Sequence, residues 1–317
     1  MNDILISCII PCKSLDDPNL QDLLDSIKAQ DFPQDQIETI VVTEGDSEQA
    51  KAIGIRKAKG KICAMFCADN MLTDNRVFKS ILKTFNIVST TLGVYSKRYS
   101  YKKGDNSLNR YFSLIGGNDV ICYYLGKNDR KPWYNDSNSY VDIKYFKGSK
   151  FIPSLGCNGT FINRKLWIEH ADLDHYYPMD CAVDVINKVS GFWIRRNVDD
   201  IWHRTTDGNL IKFLIKRYKY AKDLYCDRND RRWKMVDTKE DYLRLLLFVI
   251  SAITFVPSLL ISIKGFIKIR DFAWFWHPIV AFSFLIMYTI LVFRNLFKYG
   301  IFFQRKQDEN LYQNRKT

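Results

Sequence analysis

Two long apolar runs near the carboxyl end constrain this 317-residue chain more than any other feature. Leu245 to Ile263 is 19 residues without a charge, and Phe272 to Phe293 is 22 with only His277 potentially ionisable. At about 1.5 Å per residue, either run is close to the length needed to cross a hydrocarbon core as a helix. The first contains Pro257, and the second opens with Trp274, Phe275 and Trp276, aromatics that favour the membrane interface. We expect a two-helix transmembrane hairpin with both ends cytoplasmic, the alternative being a pair of interfacial helices. The short connection, Lys264 to Asp271, fits a hairpin poorly, because its three basic residues would lie on the far side.

Charge follows the same division. Residues 1 to 200 carry 26 Lys/Arg and 25 Asp/Glu, residues 201 to 244 carry 12 and 7, and residues 245 to 317 carry 9 and 3. The basic excess therefore brackets the apolar tail, as in a chain drawn to anionic headgroups, and a nucleic-acid partner is not expected. Eight cysteines at 8, 12, 63, 67, 122, 157, 181 and 226 form no C-x-x-C pair and no zinc-like spacing. They read as reduced thiols. The start, Met1 to Pro11, has no basic leader before its short apolar run, so the amino-terminal part is expected in the cytosol.

The first two hundred residues alternate strand and helix signals. Ile4 to Pro11, Thr39 to Thr43 and Ile62 to Cys67 are short apolar runs, and Leu20, Leu23, Leu24 and Ile27 keep helical spacing between the first two. That alternation predicts an α/β domain with a mostly parallel, Rossmann-like sheet. From Tyr95 to Ile152 periodicity is weak, which suggests irregular strands and loops over a site.

In a parallel sheet the strand tips share one crevice at their carboxyl ends, where ligands bind. The first tip is Pro11-Cys12-Lys13-Ser14, and the second is Glu44-Gly45-Asp46-Ser47, either a base- or ribose-binding loop or an ordinary turn. The basic segment Lys51 to Lys61 leads into the third strand and then into Ala68-Asp69-Asn70. Asp69 at that tip is suited to a hard divalent cation on a diphosphate, or else to capping a helix.

These segments together resemble family 2 glycosyltransferases of the GT-A fold. The family has a strand ending in Pro, an Asp-Asp-Gly-Ser loop, an Arg-Asn-x-Gly helix and an Asp-x-Asp metal motif, and residues 4 to 205 here follow that order. The resemblance implies inverting transfer from a nucleotide diphosphate sugar with Mg2+ or Mn2+. It makes Pro11, Lys13, Glu44, Asp46, Lys61 and Asp69 nucleotide-binding. Three departures stand out: Cys67 replaces the first metal-motif aspartate, Glu44 an aspartate and Ala52 an asparagine. A thiol is a poor ligand for a hard ion, so a metal must lean on Asp69.

Gly156 to Arg164 resembles the family's acceptor-side strand, which points to Asn158 and Gly159. By its spacing from Gly191, Asp180 takes the place of the family's general base, with Asp184 one helical turn on as its competitor. His203 stands where the family often has a histidine near the metal, and Arg204 could grip phosphate. Asn229-Asp230-Arg231-Arg232-Trp233 faintly echoes the family's Gln-x-x-Arg-Trp acceptor motif.

The expected organisation is a GT-A domain over 1–210, a basic amphipathic juxtamembrane segment over 211–243, and a transmembrane hairpin with cytoplasmic tail over 244–317. The expected partners are a UDP- or GDP-linked sugar donor, a lipid-linked saccharide or glycolipid acceptor, and the bilayer. A polyprenyl-phosphate sugar synthase is the alternative reaction, and a non-catalytic glycosyltransferase-like binding subunit the alternative class.

Overall fold

A computed structural model describes residues 3–87, 90–135, 141–145, 152–225 and 231–313. Asn229 and Asp230, singled out above, lie outside the described residues. The amino-terminal part alternates as expected: β1 (Ile6–Pro11), α1 (Pro18–Lys28), β2 (Ile37–Val42), α2 (Ser47–Lys57), β3 (Ile62–Met65), β4 (Asn70–Leu72), α3 (Val77–Ile87) and β5 (Thr91–Ser96). Then come α4 (Ser107–Ile115), α5 (Val120–Tyr124), β6 (Val141–Tyr145), β7 (Thr160–Asn163), α6 (Arg164–His170), α7 (Pro178–Lys188), β8 (Phe192–Arg196) and β9 (Ile201–His203).

Seven strands form one sheet in the order β2-β1-β3-β7-β5-β8-β6. The pairs β1/β2, β1/β3 and β5/β8 are parallel, whereas β7 runs against both β3 and β5, and β6 against β8. The sheet is thus mixed α/β and mostly parallel. Every residue of β1 is buried, and alternate residues enter different cores: Ile9 packs with Cys63 and Met65 on one face, Ile6, Cys8 and Ile10 with Ala64 and Phe66 on the other. Helices cover both faces, which is why β1 and β3 read as unbroken apolar runs.

The carboxyl end departs from the expected hairpin. It holds α8 (Leu210–Tyr225), α9 (Lys239–Thr254), α10 (Val256–Lys268) and the long α11 (Trp276–Gln313). Among the described residues, only Phe272–Phe297 is by itself long and apolar enough to cross a bilayer, while α9 and α10 meet at 89°. The first apolar run is therefore two helices, and two spans are not supported. The break is local: Phe255 takes a left-handed φ of 60°, and Pro257 opens α10. The 16- and 13-residue arms are about 24 and 20 Å long, each short of the roughly 30 Å of a hydrocarbon core.

The helices are not detached from the α/β domain. A third core joins Tyr111, Phe112 and Leu114 of α4, Ile121 of α5 and Phe213 of α8 to Phe248, Trp274, Val280 and Phe284. Asp119 ties three helices together. It caps α5 through Ile121 N, and its Oδ2 accepts Arg217 Nη2 of α8 (2.8 Å) and Tyr288 Oη of α11 (2.7 Å).

Candidate functional site at the strand tips

The mouth is built at the ends of β1, β3 and β5, where β7 begins. Gly159 starts β7 with φ +69° and donates its N–H to Met65 O (2.9 Å); a Cβ there would come within 2.6 Å of Ile201 Cγ1, so a side chain is excluded twice over. After β3 the chain turns into β4, which pairs with β9 so that Asn70 faces His203, and Arg204 N–H bonds Asp69 O (2.9 Å). Residues 133 and 135 apart in sequence are thereby held side by side, a pairing that no local pattern reveals.

Asp69 presents its carboxylate to His203. The Oδ1 atom is buried, lies 3.5 Å from His203 Nε2, and has no hydrogen-bond partner within normal distance among the described residues. Burial alone would raise this carboxyl. The His203 imidazole, by its charge and at the margin of hydrogen-bond reach, and then Lys216, outweigh burial and hold it below its ordinary value. An orphaned carboxylate oxygen beside an imidazole nitrogen is costly unless something cationic completes it. Among the described residues no three His, Cys, Asp or Glu gather as a metal cluster. A divalent cation would therefore have Asp69 and His203 as its two protein ligands, and its other positions would fall to ligand oxygens and water. Thr205 Oγ1, 3.2 Å from His203 Nδ1, fixes the ring from the other side.

Around this pair the structure gathers Asn158, expected on the acceptor side, together with Arg130, Tyr95, Tyr99 and Asp129, which the sequence did not single out. Asn70 Nδ2 bonds Asn158 Oδ1 (3.3 Å), and Arg130 Nη2 donates to Asn158 O (2.7 Å) while its guanidinium lies over the rings of Tyr95 and Tyr99. Tyr99 Oη donates to Asp129 Oδ2 (2.5 Å), and the Tyr99 ring centre stands 5.4 Å from that of His203. Burial raises the Asp129 carboxyl, with Arg130 and then Tyr99 opposing. A Cβ on Gly156 would lie 3.7 Å from Asp129 Oδ2, so the missing side chain keeps room in front of that carboxyl.

A second missed pair lies under the mouth. Lys51 and Glu48, one turn apart on α2, form a buried ion pair (2.7 Å), and Glu48 Oε2 has no hydrogen-bond partner among the described residues. Burial pushes the Cys67 thiol up, with Lys51 opposing and Asp69 adding to the rise, so the two charges flank that cysteine. A salt bridge at helical i, i+3 spacing is normally a surface feature. Nothing local distinguished Lys51 from the basic residues that follow it.

Not every expected residue joins the mouth. Asp46 caps α2, taking Glu48 N and Gln49 N (2.8 Å each) in a capping box with Gln49, and Glu44 is exposed, 3.8 Å from Lys57. Pro11 ends β1 buried, and Lys13 beyond it is exposed. Lys61 precedes β3 and so sits at the opposite end of that strand from Asp69. The Arg204 side chain turns away to Asn19 and Asp22 of α1.

Asp180, on the first turn of α7, is almost completely buried and fully engaged. Arg231 grips it with two nitrogens (Nε to Oδ2 2.5 Å, Nη2 to Oδ1 3.2 Å), and Trp233 N–H donates to Oδ1 (2.7 Å). The next carboxylate on that face, Asp184, takes Arg232 (2.7 Å). Two weak signals in the sequence, a pair of helix carboxylates and an Arg-Arg-Trp run, are thus two halves of one contact.

No family model matches this sequence, and no curated protein matches it. Among solved structures, the mannosyltransferase PcManGT from Pyrobaculum calidifontis, in complex with GDP-Man and Mn2+, is 12% identical over 90% of this chain and 86% of that one, with a TM-score of 0.48. S. aureus TarS residues 1–349 is 11% identical over 88% and 80%, at 0.35. A197 from STIV is 14% identical over 62% and 87%, also at 0.35. Likenesses this weak leave function to be argued from the chain's own residues.

Proposed function

We propose that this protein transfers a sugar, with inversion, from a UDP- or GDP-linked donor to a lipid-linked saccharide or glycolipid at a membrane surface. The observation that carries the reading is the partnerless Asp69 oxygen facing His203 at the strand tips. A cation held there supplies charge neutralisation for a departing diphosphate. The chain's own residues do the rest. Asp69 and His203 orient the diphosphate end of the donor, the Asn70–Asn158 contact fixes the turn on which the acceptor side is built, and a carboxylate takes the proton of the acceptor hydroxyl as its oxygen attacks the anomeric carbon.

Asp180 is the carboxylate that the sequence favours for that proton. Its grip by Arg231 and Trp233 supports a second assignment, Asp129, whose carboxyl is raised by burial above its ordinary value against the opposing Arg130 and Tyr99. If the acceptor is a polyprenyl phosphate, no strong base is required, and neither carboxylate is essential for turnover. A non-catalytic binding subunit remains the reading from a different class.

Titrating UDP and GDP with and without Mn2+ while following thermal unfolding tests the donor site. Stabilisation by one nucleotide, enlarged by Mn2+ and lost in Asp69→Asn, is expected; no stabilisation by either nucleotide overturns the reading.

A further inference from the structure

The segment from Lys239 to Lys268 has the polarity of a lipid-facing element, and its two ends return to the same place. On the inward side, Ser251, Ser258 and Ser262 are fully buried. Ser251 Oγ meets Tyr124 Oη (2.6 Å), and Ser262 Oγ donates to Trp274 O (2.9 Å). On the outward side Leu246, Ile250, Ile253, Val256, Leu260 and Ile267 are between 43% and 64% exposed. Hydroxyls inside and aliphatics outside is the reverse of a helix pair facing water.

Both ends of this bent pair are fastened to one stretch of the catalytic part, residues 101–134. At the start of α9, Asp241 pairs with Lys127 (2.9 Å), both almost wholly buried, and Arg244 Nη1 donates to Leu125 O (2.8 Å). Beyond the end of α10, Asp271 takes Arg110 through two nitrogens (2.8 and 3.2 Å) together with Tyr101 Oη. Trp276 Nε1 then reaches Ser107 Oγ (3.0 Å), and Lys264 Nζ lies 4.8 Å above the Tyr134 ring. A hairpin crossing the bilayer would place the 264–271 connection on the far side from the catalytic part, but these contacts require it on the near side.

We infer that α9 and α10 form an elbow embedded in a single leaflet, entering and leaving on the catalytic side without crossing. This rests on the membrane-surface reading above and specifies how the surface is held. The occupant of the apolar face is a lipid surface with anionic headgroups. Lys264, Lys268 and Arg270 stand exposed beside the face, and the one acid in that stretch, Asp271, is buried and paired. A second copy of the chain carries the same basic excess beside this face and so offers it no opposite charge. The elbow also accounts for the three basic residues that were out of place in an external loop.

The test uses the full chain. In flotation with phosphatidylcholine vesicles, binding is expected to strengthen on adding phosphatidylglycerol, and the pair Ile253→Glu and Leu260→Glu is expected to weaken it tenfold or more. In sealed membrane vesicles from expressing cells, a membrane-impermeant maleimide should label Lys103→Cys on the catalytic part and Lys268→Cys from the same side, above the labelling of the parent. Labelling of the two from opposite sides overturns the elbow and leaves membrane attachment intact. No flotation with either lipid overturns attachment and elbow together, as does concentration-dependent self-association that buries the face instead. Neither result bears on nucleotide binding, which is read separately.

Discussion

Replacing Asp180 separates a structural tie from a catalytic base. Its carboxylate is 1% exposed and accepts three hydrogen bonds, two from an Arg231 side chain that is itself only 9% exposed. Asp180→Asn leaves that guanidinium buried without its counter-charge, and Arg231→Met leaves the carboxylate with Trp233 N–H alone. Removing one partner of such a pair costs about 3 to 5 kcal/mol, whereas replacing both is close to neutral. The double variant should therefore be far more stable than the sum of the singles implies, with a coupling of about 3 kcal/mol. Denaturant unfolding of the four proteins in the same detergent measures it. Additive effects, with coupling below about 0.5 kcal/mol, would refute the buried tie. Donor turnover by the double variant, measured where it is folded, then assigns the base. A residual loss of about a hundredfold or more keeps the role with Asp180, and recovery moves it to Asp129.

Three further outcomes follow from the geometry. Asp69→Asn should weaken nucleotide binding in Mn2+ by about tenfold or more, roughly 1.4 kcal/mol, and leave metal-free binding nearly unchanged; calorimetry with UDP and GDP reads both. Gly159→Ala forces a side chain into a left-handed backbone against Ile201 and should cost about 1 to 3 kcal/mol, seen as a lowered unfolding midpoint. Burial pushes the Asp241 carboxyl up, but Lys127 Nζ and the N–H groups of Asp237 and Thr238 bring it down to about 2 from its ordinary 3.8. A lowered carboxylate stabilises the fold above its ordinary value. About 2.5 kcal/mol should therefore disappear as pH falls from about 4 to 2, and this step should be missing from the unfolding profile of Asp241→Asn.

The sequence was legible where local chemistry and fold agree. The first three strands could be read because both sheet faces are covered, and Asp69 because it follows a strand tip directly. His203 was placed near it by resemblance, yet the contact itself comes from the β4–β9 pairing. Asp129, Arg130 and Tyr99 were not legible. They reach the mouth through irregular backbone, Asp129 and Arg130 beyond the end of α5 and Tyr99 beyond the end of β5, where no helical or strand period marks a residue. The missed break at Phe255 has another origin: hydropathy averages over a window and is indifferent to one residue that turns the chain. Lys61 was misjudged for a simple reason of direction, since a residue that precedes a strand lies a strand's length from those that follow it.

Asp119 gives this architecture a mechanical joint. Tyr288 on α11 and Arg217 on α8 share its Oδ2, and Arg217 in turn lies 5.0 Å over the ring of Tyr220, which is half-buried against the core that also holds Ala52 and Cys157. A shift of α11 against α8 would therefore strain a carboxylate oxygen that both helices share, which holds the two in one register at that point.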